Sequence, residues 1–216
     1  MDKLLRMSND AALAATDDTA RPDDTGPSDH TGRTDDADRT EGAARADEPS
    51  PPLGPVGVPS PLPDEHQRQA RMAAMGVPEE YWDWMGPHGV PPMGVRLGLR
   101  FQRMSPEKLV ATMPVGGNEQ NVGLFHGGAH MVLAETLGSF AAILHTRVNL
   151  GVERMVVGTE LGATHHRSAT QGLVWATCTP LNLGRQLAVH EIVMHDDEGR
   201  RLSTARMTNM ILAPRD

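Results

Sequence analysis

The pattern of apolar and polar positions changes character near residue 64. From there on it predicts discrete elements. In "PDEHQRQARMAAMGVPEEYWDWMGP", Gln69, Met72 and Ala73 fall at helical spacing, Gly76 stops the first piece, and Pro78-Glu79-Glu80 opens a second. "MGVRLGLRFQRM" alternates, with Val95, Leu97, Leu99 and Phe101 on one side and Arg96 and Arg100 on the other. That predicts a half-buried strand, and "EKLVATMPV" predicts a second after the turn-like "SP". The glycine-rich "GGNEQNVGLFHGG" then runs into a helix reaching about His145 that is apolar on nearly every side. Four strand patterns follow: "RMVVGTELGATHHR", "GLVWATCTPLN", "RQLAVHEIVMHD" and "RLSTARMTNMIL". The last two are joined by "DDEGR", a hairpin turn with Gly199 where positive φ is needed.

A helix apolar all round has to be wrapped rather than laid on a surface. The order is short helices, two strands, one long helix and four strands. The simple arrangement is an α+β fold in which an antiparallel sheet curls around the central helix, the hot-dog fold. One residue breaks the helix pattern: Glu135, a carboxylate among Leu, Met and Ala. Tyr81, Trp82 and Trp84 hold three of the chain's seven aromatic rings. They read as a lid over a sheet face or subunit contact, or as cover for the mouth of a pocket.

Composition divides the chain in the same place. Residues 1–63 contain no aromatic residue and carry 13 acidic against 6 basic side chains, a net −7. Such a segment buries too little apolar surface to offset its ordering entropy. It is expected to be a disordered acidic tail ending in the Pro-rich linker "PSPPLGPVGVPSPLP". Residues 64–216 carry 15 acidic and 14 basic side chains, a net −1, so no basic stripe for nucleic acid is visible. These 153 residues suffice for one domain, with its core over 92–213. A lone cysteine, Cys178, allows no internal disulfide. No window looks long enough for a signal peptide or a membrane span, so a soluble, cytoplasmic domain without membrane or nucleic-acid partners is expected.

With the order and the loop in view, residues 92–213 resemble the acyl-CoA thioesterases of the PaaI type, the phenylacetate-pathway and 4-hydroxybenzoyl-CoA thioesterase-like family. The resemblance rests on Asn121-Val-Gly-Leu-Phe-His126-Gly127-Gly128, on Glu135 nine residues after the histidine, and on "GTELGATHHRSATQG", "CTPLNLGRQL" and "STARMTNMIL". It implies hydrolysis of an acyl-CoA by a homodimer or homotetramer, with no metal or redox cofactor. It implies that Glu135 activates water or attacks the thioester, that the Gly127 amide polarises the carbonyl, that Gln120 assists, and that Ser139 supplies a hydroxyl one turn on. His126, with Asn121 and Gly128, would hold the loop. Some members carry a serine where this chain has Gly158, and Thr159 beside it is a weak substitute.

The chemistry is consistent on its own terms. Thioester hydrolysis needs a base or nucleophile and donors aimed at the developing oxyanion. A helix opened by "HGG" offers amides without internal partners at the positive end of its dipole. Burial of Glu135 is expected to raise its pKa towards neutrality. Yet eight residues of helix separate Gly127 from Glu135, ~12 Å along the axis. One carbonyl cannot reach both on one chain, so the spacing predicts an obligate dimer with sites shared between antiparallel helices.

Other uses of these residues were weighed. Pairing of Glu135 with Arg154 would make it structural. His126 and His130 lie four apart but at a loop-to-helix junction with no acidic residue between them, so no metal site is expected. "MPVGGNEQN" lacks the Lys-Ser/Thr ending of a phosphate-binding loop. The CoA phosphates would instead meet Arg167 and Arg185 at strand ends. The rival reading is a hot-dog module that binds an acyl thioester without cleaving it, as a sensor or structural subunit; a carboxylate at position 135 argues against it.

Overall fold

The computed structural model describes residues 57–213. The expected acidic tail and most of its linker therefore lie outside the described residues. Helix α1, Glu65–Ala74, starts on a reciprocal cap in which the Asp64 carboxylate accepts from the Gln67 amide and the Gln67 side chain accepts from the Asp64 amide. It ends at Gly76, whose φ is +74°. A Cβ there would collide with the Phe101 carbonyl oxygen, so only glycine suits the position. A 3₁₀ segment over Glu79–Trp84 follows. Tyr81 stacks on Trp84 with ring centroids 5.1 Å apart, and the Trp82 indole donates to the Val77 carbonyl at 2.9 Å. These rings pack into the main core.

The structure corrects the strand expected from residue 93. Pro92–Arg96 is a short helix, α2, and strand β1 begins only at Arg100. Pro92 at the first helical position and Gly98 with φ +72° just beyond the end override the two-residue alternation. The apolar residues keep their core role, because Val95 and Leu99 lie four apart and are both buried.

The remaining elements match their expected places: β1 Arg100–Ser105, β2 Lys108–Pro114, the central helix α3 Gly127–Leu144, β3 Val156–His165, β4 Leu173–Leu183, β5 Leu187–His195 and β6 Arg201–Ile211. The strands form one antiparallel sheet in the order β1-β2-β4-β5-β6-β3. Helix α3 packs against all six strands. This is the hot-dog arrangement. At one edge, the Phe101 amide donates to the Met75 carbonyl at 2.7 Å, so the end of α1 covers part of β1. At the other edge, β3 pairs with β6 alone, through a bulge at Gly158–Glu160.

Helix α3 continues into a π segment, His145–Asn149. Together they run 23 residues, and an 18-residue window within them has a mean hydropathy of 1.3, enough in length and composition to cross a bilayer. That corrects the expectation that no window reaches this length. Here the apolar surface is spent on the sheet, and Leu133, Leu137 and Leu144 are completely buried.

Below the C-terminal half of α3 the core is polar. His190 of β5 and Asn209 of β6 are buried, and neither side chain has a hydrogen-bond partner among the described residues. Burial, with His145 nearby, pushes the His190 pKa from 6.5 to about 4. The unfolded chain therefore binds the extra proton first, so stability is complete above pH 6.5 and is lost as pH falls towards 4. Thermal melts across that range should show a shallower acid decline for His190→Leu than for the wild type. An equally steep decline would place the acid sensitivity elsewhere.

Candidate active site

The loop before α3 is built to present a helix N-terminus. The Gln120 amide donates to the Leu124 carbonyl at 2.8 Å, and the Gly123 amide returns to the Gln120 carbonyl at 2.9 Å, which folds residues 120–124 into a tight turn. The Phe125 amide is tied to the Ala169 carbonyl and the His126 amide to the Asn118 carbonyl. Asn118 anchors this assembly: its side-chain amide donates to the carbonyls of Leu97 at 2.8 Å and Pro114 at 2.9 Å. The sequence reading missed Asn118 and named Asn121, which is exposed in the turn. Nothing in "GGNEQN" distinguishes the two asparagines.

His126 is the N-cap of α3, with Nδ1 accepting from the Gly128 amide at 2.8 Å. The Ala129 and His130 amides bond to the His126 carbonyl. The Gly127 amide is left over, with no acceptor among the described residues. It is a free donor at the positive end of an 18-residue helix. His126 thus caps α3 with its ring and ties the loop to Asn118 with its amide.

The structure also brings to this amide a residue to which the sequence reading gave no role. A Cβ placed on Gly127 would lie 3.1 Å from Nε2 of His165, at the end of β3. His165 Nδ1 lies 3.0 Å from Ser203 Oγ, and that hydroxyl donates its only proton to the Thr164 carbonyl. Ser203 Oγ must therefore accept from His165, which assigns the ring proton to Nδ1 and leaves the Nε2 lone pair facing Gly127. The sequence held a signal for it: alternation from Leu161 through Ala163 turns His165 inward and sends His166 to the far face, against Thr204.

Glu135 lies two turns further along α3. It is exposed in the single chain, which corrects the expected burial. The helix is wrapped on the sheet side only, and the face bearing Met131, Glu135 and Ser139 is open. Ser139 donates to Glu135 Oε1 over a long 3.5 Å. A Cβ on Gly158 would lie 3.0 Å from the same oxygen, so β3 runs directly beside the carboxylate. Thr159 does not substitute for the missing serine, because its hydroxyl is bonded to the Thr208 carbonyl at 3.1 Å in the bulge. Arg154 is not an ion-pair partner of Glu135; it lines a separate polar cavity.

Beside Glu135 and Ser139 lies an apolar pocket of about 440 Å³. Met131, Val132 and Phe140 of α3 and Leu161 of β3 form its inner wall, and Pro91, Met93 and Gly94 at α2 form the outer one. The aromatic cluster at 81–84 is not on this wall; its segment is tied to α1, where Arg68 donates to the carbonyls of Trp82 and Met85.

The two arginines expected at phosphates do not converge. The Arg167 amide bonds to Leu202 at the start of β6, whereas Gln186, next to Arg185, bonds to Ile211 at its end. Nine strand steps separate these anchors, ~30 Å. Arg185 instead shares a cavity of about 490 Å³ with Arg154. Cys178 is buried and its thiol is pushed up to about 12 by that burial, so it is an inert core residue.

A free amide, a carboxylate beside an apolar pocket and a helix inside a six-stranded sheet can be compared with known proteins. The sequence profile of the thioesterase superfamily matches residues 122–203, from the loop to the start of β6. The proofreading thioesterase EntH of Cronobacter sakazakii is 49% identical over 117 residues, covering 54% of this chain and 82% of that protein. In three dimensions the chain is similar to thioesterase PA1618 of Pseudomonas aeruginosa, solved as a mutant, with a TM-score of 0.54 and 33% identity over 70% of this chain and 96% of the other. It is also similar to thioesterase HI1161 of Haemophilus influenzae, with a TM-score of 0.50 and 33% identity over 56% and 82%. Nearly half of the residues shared with a thioesterase are the same, over most of that thioesterase's length, and the fold agrees: the chain belongs to the thioesterase superfamily.

Proposed function

We propose that the protein hydrolyses acyl-CoA thioesters, as a PaaI-type enzyme, in sites shared between two subunits. Each site takes Gly127 from one chain and Glu135 from the other. The observation that carries this reading is the separation of the two groups along one helix. The free Gly127 amide and Glu135 lie ~12 Å apart on α3, too far for one carbonyl to meet both. The open edge of β3 supports it, because a second copy can extend the sheet there by antiparallel pairing. Such pairing turns the exposed Glu135 face towards the other chain.

In that arrangement the acyl group occupies the apolar pocket and its carbonyl oxygen accepts from Gly127 at the helix N-terminus. Glu135 either takes a proton from the attacking water or attacks the carbonyl carbon itself. Ser139 holds one carboxylate oxygen and leaves the other for chemistry. Gln120, half-buried in the turn before His126, orients water or carbonyl. His165 stands beside the oxyanion. Its Nε2 lone pair can take up a proton, and as an imidazolium the ring is a donor. Negative charge on the thiol carrier is met by Arg185 and Arg154 of one cavity; Arg167 lies at the opposite end of β6, so it would serve a ligand held on the other chain.

Thiol release is the deciding measurement. The purified chain should release CoA from at least one of a short-chain, an aromatic and a long-chain acyl-CoA, in proportion to enzyme added. Tight binding of one of these without release from any would make the protein a binding module instead.

A further inference from the structure

His165 sits in an unusual packing arrangement. Its ring stacks on the imidazole of His130, with centroids 5.0 Å apart and planes inclined by 30°. His130 is in turn held from two sides. Phe125 meets it in a T-shaped contact with ring centroids 4.7 Å apart, and its Nδ1 lies 3.0 Å from the sulfur of Met194 on β5. Thioether sulfur only accepts, so Nδ1 carries the proton and the orientation of the ring is fixed. The order is Phe125, His130, His165, Gly127: an aromatic residue from the loop, one from α3, one from β3, then the free amide.

We propose that His130 is a positioning residue for thioester hydrolysis, which by stacking holds the His165 ring against Gly127 and within reach of Ser203, the hydroxyl that keeps the proton on Nδ1. The inference rests on the proposed use of the Gly127 amide. His130 touches neither that amide nor the carbonyl, so it acts through His165. Burial and its histidine neighbour lower the His130 pKa to about 4, so this ring is neutral above that pH. A neutral stacked face offers His165 a rigid support without a second positive charge. The groups facing His165 are His130 from α3, Ser203 from β6 and Gly127. In the shared site, Glu135 of the second chain also approaches it.

The test uses the full chain with His130→Phe and His130→Leu. Phenylalanine keeps a flat ring to stack on; leucine keeps apolar bulk without one. Leucine is expected to lower kcat by roughly tenfold with KM little changed, since loss of orientation costs turnover rather than binding. It should also displace the limb of the pH–rate profile that follows His165, and phenylalanine should restore most of kcat. Imidazole nitrogen chemical shifts of His165, followed by NMR through a pH titration without substrate, read its tautomer and pKa directly. A changed tautomer or midpoint in His130→Leu supports the proposal even if the assay substrate is poorly chosen. Unchanged His165 shifts, or equal kcat for the leucine and phenylalanine variants, would overturn it. Failure of wild-type thiol release with an altered His165 titration would instead fault the hydrolase reading alone.

Discussion

Glu135→Gln is expected to lower kcat by about 10³-fold, ~4 kcal/mol in the barrier, with KM changed by no more than a few-fold. The substitution removes charge and little else. Glutamine has the same length, Ser139 can still donate to its carbonyl oxygen, and Gly158 leaves the same space beside it. The side chain is exposed in the single chain, so folding should hardly be affected. A loss of that size with an unchanged melting temperature assigns the carboxylate to the reaction itself. Activity within a few-fold of wild type would remove Glu135 from the mechanism, whatever the fold suggests.

The second large effect is a gain. Gly127→Val fills the space in front of the free amide and presses on His165 Nε2, which a Cβ at this position would approach to 3.1 Å. Alone it should be inactive, as should Glu135→Gln. Refolded together in equal amounts, the two chains should recover about a quarter of wild-type activity, because half of the dimers are mixed and one of two sites in each mixed dimer is intact. If each chain used its own Gly127 and Glu135, mixing would restore nothing. The assay separates a shared site from two sites that merely face each other.

Much of this was legible before any coordinates. The central helix, β2 and the four later strands follow from the spacing of apolar residues, because each element is long and has a clear period. The strand expected from residue 93 failed for a local reason: Pro92 and Gly98 outweigh two alternating pairs, and a five-residue helix offers too little periodicity to compete. The candidate site was legible in outline where one stretch of sequence holds it, as with the placing of His126, Gly127, Glu135 and Ser139 along one helix. It was not where contact is made across the fold. Asn118 ties together Leu97, Pro114 and His126, which only the folded loop brings near. His165 reaches Gly127 across 38 residues of chain. The expectation that Glu135 is buried took the helix as wrapped on every side, when one sheet covers only one side of it.

The tight space around Gly158 bears on how such sites diverge. A side chain at 158 would meet not only Glu135 but also Met207, whose Cε would be 2.6 Å from the new Cβ, and Met207 already fills the gap over Gly138. Both neighbours are the far ends of flexible side chains, so a serine at 158 is admitted once the Met207 methyl and the Glu135 carboxylate swing aside. A change at this position therefore falls on the rotamers of Met207 and Glu135 rather than on the backbone of β3, and it would move the very carboxylate that the new hydroxyl stands beside.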